Sequence, residues 1–152
     1  MIRWAGPSDS DALGRVMFDA IHQGDSPYSA EQRRAWLPEP NAGRAWGGRL
    51  ARQRVVVAEQ SGTPVGFMTL GDDGCIDLAF LLPDYRGHGL FRQLLERIED
   101  EARDAGIDQL WTNASLMAEG PFQAAGFVTD RAEHIDRNGI TLKRFRMHKW
   151  LV

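Results

Sequence analysis

Residues 76–95, Ile-Asp-Leu-Ala-Phe-Leu-Leu-Pro-Asp-Tyr-Arg-Gly-His-Gly-Leu-Phe-Arg-Gln-Leu-Leu, constrain this chain more than any other stretch. An apolar run of strand length, Ile76 to Leu82, ends at Pro83, and Gly87 and Gly89 follow. From there apolar residues recur at 91, 94, 95, 98, 102 and 105, a helical period that stops at Gly106. A glycine-rich turn between a strand and a helix start can aim several free backbone N–H groups at one anion, and the helix dipole adds partial positive charge there. The stretch reads as a phosphate cradle.

Two common phosphate loops fit it badly. The P-loop needs a Lys and a Ser or Thr after its second glycine, where this chain has Leu90 and Phe91. The dinucleotide fingerprint needs a third glycine at the position of Arg92, and it normally opens a chain rather than sitting past its middle. The pattern Arg/Gln-x-x-Gly-x-Gly/Ala fits: Arg86-Gly87-His88-Gly89-Leu90-Phe91 supplies the Arg and the central Gly, with Phe91 in place of the final small residue.

That pattern resembles the acyl-CoA pyrophosphate loop of GCN5-related N-acetyltransferases, the GNAT family. A second segment, Ser115-Leu-Met-Ala-Glu-Gly-Pro-Phe-Gln-Ala-Ala-Gly-Phe127, resembles the family's Asn-x-x-Ala-x-x-x-Tyr-x-x-x-Gly-Phe. It matches at Ala118, Gly126 and Phe127 and departs at Ser115 and Phe122. The two segments stand in the family's order and separation, so the resemblance covers nearly the whole chain. It implies an α/β fold with a mixed, mostly antiparallel sheet of about seven strands flanked by helices, splayed between strands four and five. It also implies acetyl-CoA as cosubstrate, no metal, and an amine as acceptor, a small molecule by preference and a protein amine as the alternative.

At 152 residues and 43% hydrophobic, the chain can bury one core and is too short for two ordinary domains, so residues 1–152 are read as one acyltransferase domain. A net charge of −3 gives no electrostatic case for nucleic acid or for an anionic membrane. One cysteine, Cys75, rules out an internal disulfide and a cysteine-built metal site. No apolar run approaches the roughly 20 residues of a membrane span, and the N-terminus lacks a signal-peptide core. A cytoplasmic protein is expected, and the resemblance, to a family in which dimers are common, admits a homodimer.

Periodicity predicts a strand over 2–5, then a helix capped by Ser8 or Asp9 with Leu13, Val16, Met17, Ala20 and Ile21 on its apolar side. Ser29-Ala-Glu-Gln32 predicts a capping box and a helix through Trp36, and residues 41–52 a third helix. Residues 54–59 and 65–70 read as a hairpin, 75–82 as one strand, 109–112 as the next, and 116–125 as a short helix. A final hairpin, 127–136 with 140–150, closes around Asn138-Gly139.

Acyl transfer needs a held thioester, a polarised carbonyl, a neutral amine and a proton for the thiolate. The resemblance assigns the first two to backbone groups of Phe80, Leu81 and Leu82, a device that needs no particular side chain. The same residues also make an ordinary core strand. The loop residues Arg86, Gly87, His88, Gly89, Leu90 and Phe91 are expected around the pyrophosphate. Asp77, the one charge in the strand, is either a base for the amine or a strand-end carboxylate paired with an arginine. The family's Tyr beside the sulfur is Phe122 here, which has no proton to give. Water, Ser115 or a Tyr from elsewhere is left for that step, while Ser115 can equally cap the following helix. His22, Tyr28, Trp36 and Trp46 fall where the family builds its acceptor pocket, and Trp at helical spacing is also common in cores. His134 and His148 read as surface residues and Cys75 as a small buried one.

Two rival classes remain open from sequence. One is a non-catalytic acyl-CoA sensor on the same fold, suggested by Phe122. The other is a nucleotide-binding module unrelated to CoA.

Overall fold

The β-branched run Val55-Val56-Val57 suits a pleated strand packed on both faces. In the computed structural model, which describes residues 1–152, it lies in β2 (Arg54–Gln60). Ser61 and Gly62, both at positive φ (51° and 78°), turn it into β3 (Thr63–Leu70). β1 (Ile2–Trp4) pairs with β2, and β5 (Ala79–Leu81) with the far side of β3, all antiparallel. A second sheet runs β4 (Cys75–Ile76), β6 (Gln109–Ser115), β8 (Ile140–Trp150), β7 (Val128–Arg137), with only β4–β6 parallel. The β7–β8 hairpin closes at Asn138 and Gly139, at φ 52° and 81°, as the Asn-Gly pair predicts. The mixed, mostly antiparallel sheet expected from sequence is therefore present as two halves.

β4 and β5 are two pieces of the single strand predicted over 75–82. Ile76 packs on one face of the sheet, Leu78 on the other, and Ala79 returns to the first. Asp77 carries the extra residue, and the strand kinks there as at a β-bulge. Two buried threonines take up the backbone groups the kink displaces. Thr69 Oγ1 accepts the Leu78 N–H at 3.0 Å, and Thr112 Oγ1 donates to the Ile76 carbonyl at 2.8 Å. Past this point β5 follows β3 while β6 follows β8, so the two strands part.

Three helices, α1 (Ser10–His22), α2 (Ala30–Trp36) and α3 (Gly43–Ala51), lie on one side of the sheet. There Leu13, Val16, Ile21, Trp46 and Leu50 meet Val55, Val57, Phe67 and Leu78. α4 (Leu90–Asp104) and α5 (Glu119–Ala124) cover the other, where Leu94, Leu95, Ile98 and Phe122 meet Val56, Met68, Leu110 and Met147. The capping box of α2 forms as expected: Ser29 Oγ accepts from the Gln32 N–H and Gln32 Oε1 from the Ser29 N–H.

Two boundaries lie three residues from the sequence reading, and one cap differs. β6 runs on to Ser115, and α5 starts only at Glu119, because Ser115 Oγ and carbonyl both accept the Ala118 N–H in a turn. Asp9 does not cap α1 with its side chain; its carboxylate takes the Arg3 guanidinium and the Gly6 N–H instead. No helix is long and apolar enough to cross a membrane.

Candidate active site

The parting of β5 from β6 leaves a strand edge. Leu78 and Leu82 exchange bonds with β3, through Thr69 N–H to Leu78 carbonyl and Leu82 N–H to Val65 carbonyl, each at 2.9 Å. In an antiparallel pair such residues alternate with ones whose backbone groups point the other way. The groups aimed into the gap are those of Ala79 and Leu81. Of the three residues expected there, Leu81 fits, while the amides of Phe80 and Leu82 turn toward β3.

At the lower end of this edge the chain passes through Gly87 and Gly89, at φ 78° and 87°, into α4. That backbone conformation is costly for any residue with a Cβ. No atom lies within 4 Å of where a Cβ would sit on either glycine. Gly89 is the N-cap of α4 and no side chain caps the helix, so the N–H groups of its first turn lack side-chain acceptors. Backbone approach by an anion is what this arrangement admits. Arg86 does not face the loop amides. Its Nε donates to the Leu81 carbonyl at 3.1 Å and its Nη2 to the Ala20 carbonyl at 2.9 Å, bracing the loop against α1. Burial, then the neighbouring Arg33, pulls its pKa below the ordinary value. The His88 side chain is exposed and Leu90 half-buried.

A cavity of about 160 Å³ passes through the gap from one face of the sheet to the other. Ala118 and Phe122 line its α5 end; Met17, Tyr28, Trp36 and Arg49 line its α1–α3 end. Asp77 stands in its wall but is not free. Arg49 forks onto it, Nε to Oδ2 at 2.9 Å and Nη2 to Oδ1 at 3.0 Å, and Gln53 Nε2 adds a third bond at 2.9 Å. Burial pushes the Asp77 carboxyl up, and these bonds outweigh it, so the group sits below the usual carboxylate range. That suits an anion better than a base. Cys75 also lines the cavity, its thiol pushed up to about 12 by burial and then by Asp73 and Asp77, which leaves it protonated at neutral pH.

Residues 25–149 match the family described as an acetyltransferase (GNAT) domain. The chain belongs to the GNAT acetyltransferase family. It is 31% identical to the L-amino acid N-acyltransferase MnaT of Escherichia coli over 69% of its length, a match that spans 64% of that relative. It is 28% identical to the uncharacterized N-acetyltransferase YafP of Escherichia coli over 96% of this chain and 93% of that one. A GCN5-related N-acetyltransferase of Rhodopseudomonas palustris superposes with a TM-score of 0.88 at 28% identity, covering 99% of this chain and 95% of that chain. The yncA protein of Salmonella typhimurium, solved with acetyl-CoA, shares the fold at a TM-score of 0.70 and 22% identity, over 100% and 94% of the two chains.

Within this GNAT fold two of the three departures from the family's motifs meet. Phe91 turns inward and packs edge-on against Phe122, ring centroids 4.9 Å apart, and Phe122 packs the same way on Phe127. Phe122 is 1% exposed. Ser115 lines the cavity, and its Oγ accepts the Ala118 N–H at 3.2 Å, which leaves its own proton available. Tyr28 and Trp36 line the α1–α3 end, 5.5 Å apart edge to face, and Phe80 lies 6.0 Å beyond Trp36. The Tyr28 hydroxyl donates to the Lys143 carbonyl at 2.6 Å and accepts the Leu116 N–H at 3.0 Å. Burial raises its pKa. His22 is outside the cavity lining: it stacks 4.1 Å from Phe18 and donates from Nε2 to the Leu37 carbonyl. Trp46 is core, donating to the Ser10 carbonyl. Sequence reasoning missed Arg49, Thr69 and Thr112. Nothing in their own neighbourhoods marks them, since each bonds a residue nine or more positions away.

Proposed function

We propose that this protein transfers an acetyl group from acetyl-CoA to the primary amine of a small molecule by direct attack on the thioester, with residues 1–152 acting as one catalytic domain. The observation that carries this reading is continuity. The backbone edge of Ala79 and Leu81 runs into the Gly87–Gly89 turn and the uncapped start of α4, and the cavity opens from that edge to the other face of the sheet. The acetyl-CoA present in the yncA structure and the acyltransferase activity in the MnaT name support the same cosubstrate.

In this reading the N–H groups of Ala79 and Leu81 hold the pantetheine arm and polarise the thioester carbonyl. The first-turn amides of α4 hold the pyrophosphate, with Arg86 keeping the loop in place. The amine nitrogen bonds to the acyl carbon, the carbon–sulfur bond breaks, and the thiolate takes a proton. Ser115 is the side chain with a free proton on that side of the cavity. Asp77 stays ionised against Arg49, and water carries the amine's proton away.

The test is thiol release from acetyl-CoA with a panel of small amines, paired with calorimetry of acetyl-CoA on the parent and on Gly89→Glu. We expect amine-dependent release and loss of binding in the variant. Unchanged binding would remove the loop from the site.

The buried, hydroxyl-free Phe122 favours a second reading, an acyl-CoA sensor without turnover. Binding of acetyl-CoA with no release for any amine, and a large gain with Phe122→Tyr, would select it.

A further inference from the structure

The cavity is short of negative charge. Asp77 is its one acidic lining residue and Arg49 already neutralises it, whereas Arg137, Lys143 and Arg144 line the same cavity. Arg137 has no carboxylate within ion-pair distance, while the Lys143 ammonium lies 5.3 Å over the Phe145 ring. Arg144 is half-answered. Its Nε donates to Glu133 Oε1 at 3.1 Å, while Arg131 holds the other oxygen of the same carboxylate at 2.9 Å. The two terminal nitrogens of Arg144 donate to no protein acceptor.

Geometry gives this arginine a direction. Arg144 sits opposite Ser115 in the β6–β8 register and opposite Glu133 in the β7–β8 register, so strand alternation puts the three on one face at the mouth of the gap. Glu133 fixes the inner end of the guanidinium and leaves its outer fork free. A planar two-pronged donor of this kind matches a carboxylate. The wall beside it is apolar, with Leu142, Ile135 and Trp36.

We infer that the acceptor is an amine that also carries a carboxylate, held by the free fork of Arg144 with Arg137 adding attraction at the rim. This rests on the transferase reading above and narrows its substrate class. The excess positive charge has a second effect on such an acceptor: it disfavours the ammonium form, which must lose its proton before attack.

The experiment compares acceptors that differ in one group. Thiol release from acetyl-CoA is measured with L-leucine, L-leucinamide, isoamylamine and O-phosphoethanolamine. We expect kcat/KM to be about tenfold or more higher for L-leucine than for the other three, the scale of one charge-assisted hydrogen-bonded pair. Arg144→Gln should raise KM for L-leucine about 10–100-fold with a smaller change in kcat, and shift KM for isoamylamine far less. Arg144→Lys keeps the contact to Glu133 and loses the fork, so it should fall between parent and Gln even if the Gln variant folds poorly. Equal use of L-leucine and isoamylamine overturns the inference. So does preference for O-phosphoethanolamine, or an Arg144→Gln effect that is the same for both acceptors. Calorimetry of N-acetyl-L-leucine and N-isoamylacetamide on the CoA-bound protein separates the two layers of the argument. Preference for the acid without any thiol release would refute the transferase and keep the anion site; equal binding of the two would refute the anion site alone.

Discussion

Asp77 shows how a residue's partners decide its chemistry. A lone carboxylate in a cleft is a candidate base, but this one accepts a fork from Arg49 and a third bond from Gln53. Asp77→Asn should therefore leave the acidic limb of the kcat/KM–pH profile where it is, because that limb belongs to the acceptor amine. A limb that flattens in the variant would restore Asp77 as the base. The same change frees Arg49, so KM for a carboxylate-bearing acceptor should fall. Ser115 is the opposite case, a small side chain with a proton to give at the cavity wall. Ser115→Ala should lower kcat by up to about 10²-fold, the low end for one proton-transfer group, with little change in acetyl-CoA affinity. An unchanged kcat would hand that step to water.

At the scale of elements, the parting of β5 from β6 depends on two hydroxyls. Thr69→Val keeps the shape and strands the Leu78 N–H; Thr112→Val does the same to the Ile76 carbonyl. Each should cost about 1–3 kcal/mol in urea unfolding, the penalty for a buried group left without a partner. Each should also weaken acetyl-CoA binding, since the kink holds the gap open; variants with lowered stability and parental affinity would show that the gap does not need it. Most elements were legible in the sequence, α4 from its stripe and both hairpins from their turn residues, because local period and turn chemistry dictate them. The break at Asp77 was not. Apart from Asp77, Ile76 to Leu82 is apolar on both faces, so its pattern carries no phase and cannot report where the strand changes side. Arg49 was equally silent, since its partner lies 28 residues away. The loop glycines could be read because positive φ narrows the choice of residue; the role of Arg86 could not, as its carbonyl partners carry no sequence signature.

For the whole molecule, the sheet separates a core of 16 buried residues under α4 and α5 from one of 11 under α1 and α3. Tyr28 ties the α1–α2 loop across the gap, through the Lys143 carbonyl and the Leu116 N–H. Acid should loosen the assembly. Asp9 is held below the ordinary carboxylate range by hydrogen bonds from Arg3, and Asp77 by those from Arg49 and Gln53, which overcome its burial. A depressed native pKa adds stability above the unfolded value near 3.9 and loses it as pH falls through the native one. The melting temperature should thus be flat from neutral pH to about 5 and drop below about 4; a drop already near pH 6 would implicate a histidine instead. The edge formed by Ala79 and Leu81 has a practical corollary. Alanine scanning across β5 will register packing losses and be blind to the hydrogen bonds proposed to hold and activate the thioester, for every variant retains them. Replacing the Leu81 amide by an ester, with its side chain intact, removes one such donor, and only this kind of backbone editing exposes a site written in main-chain atoms.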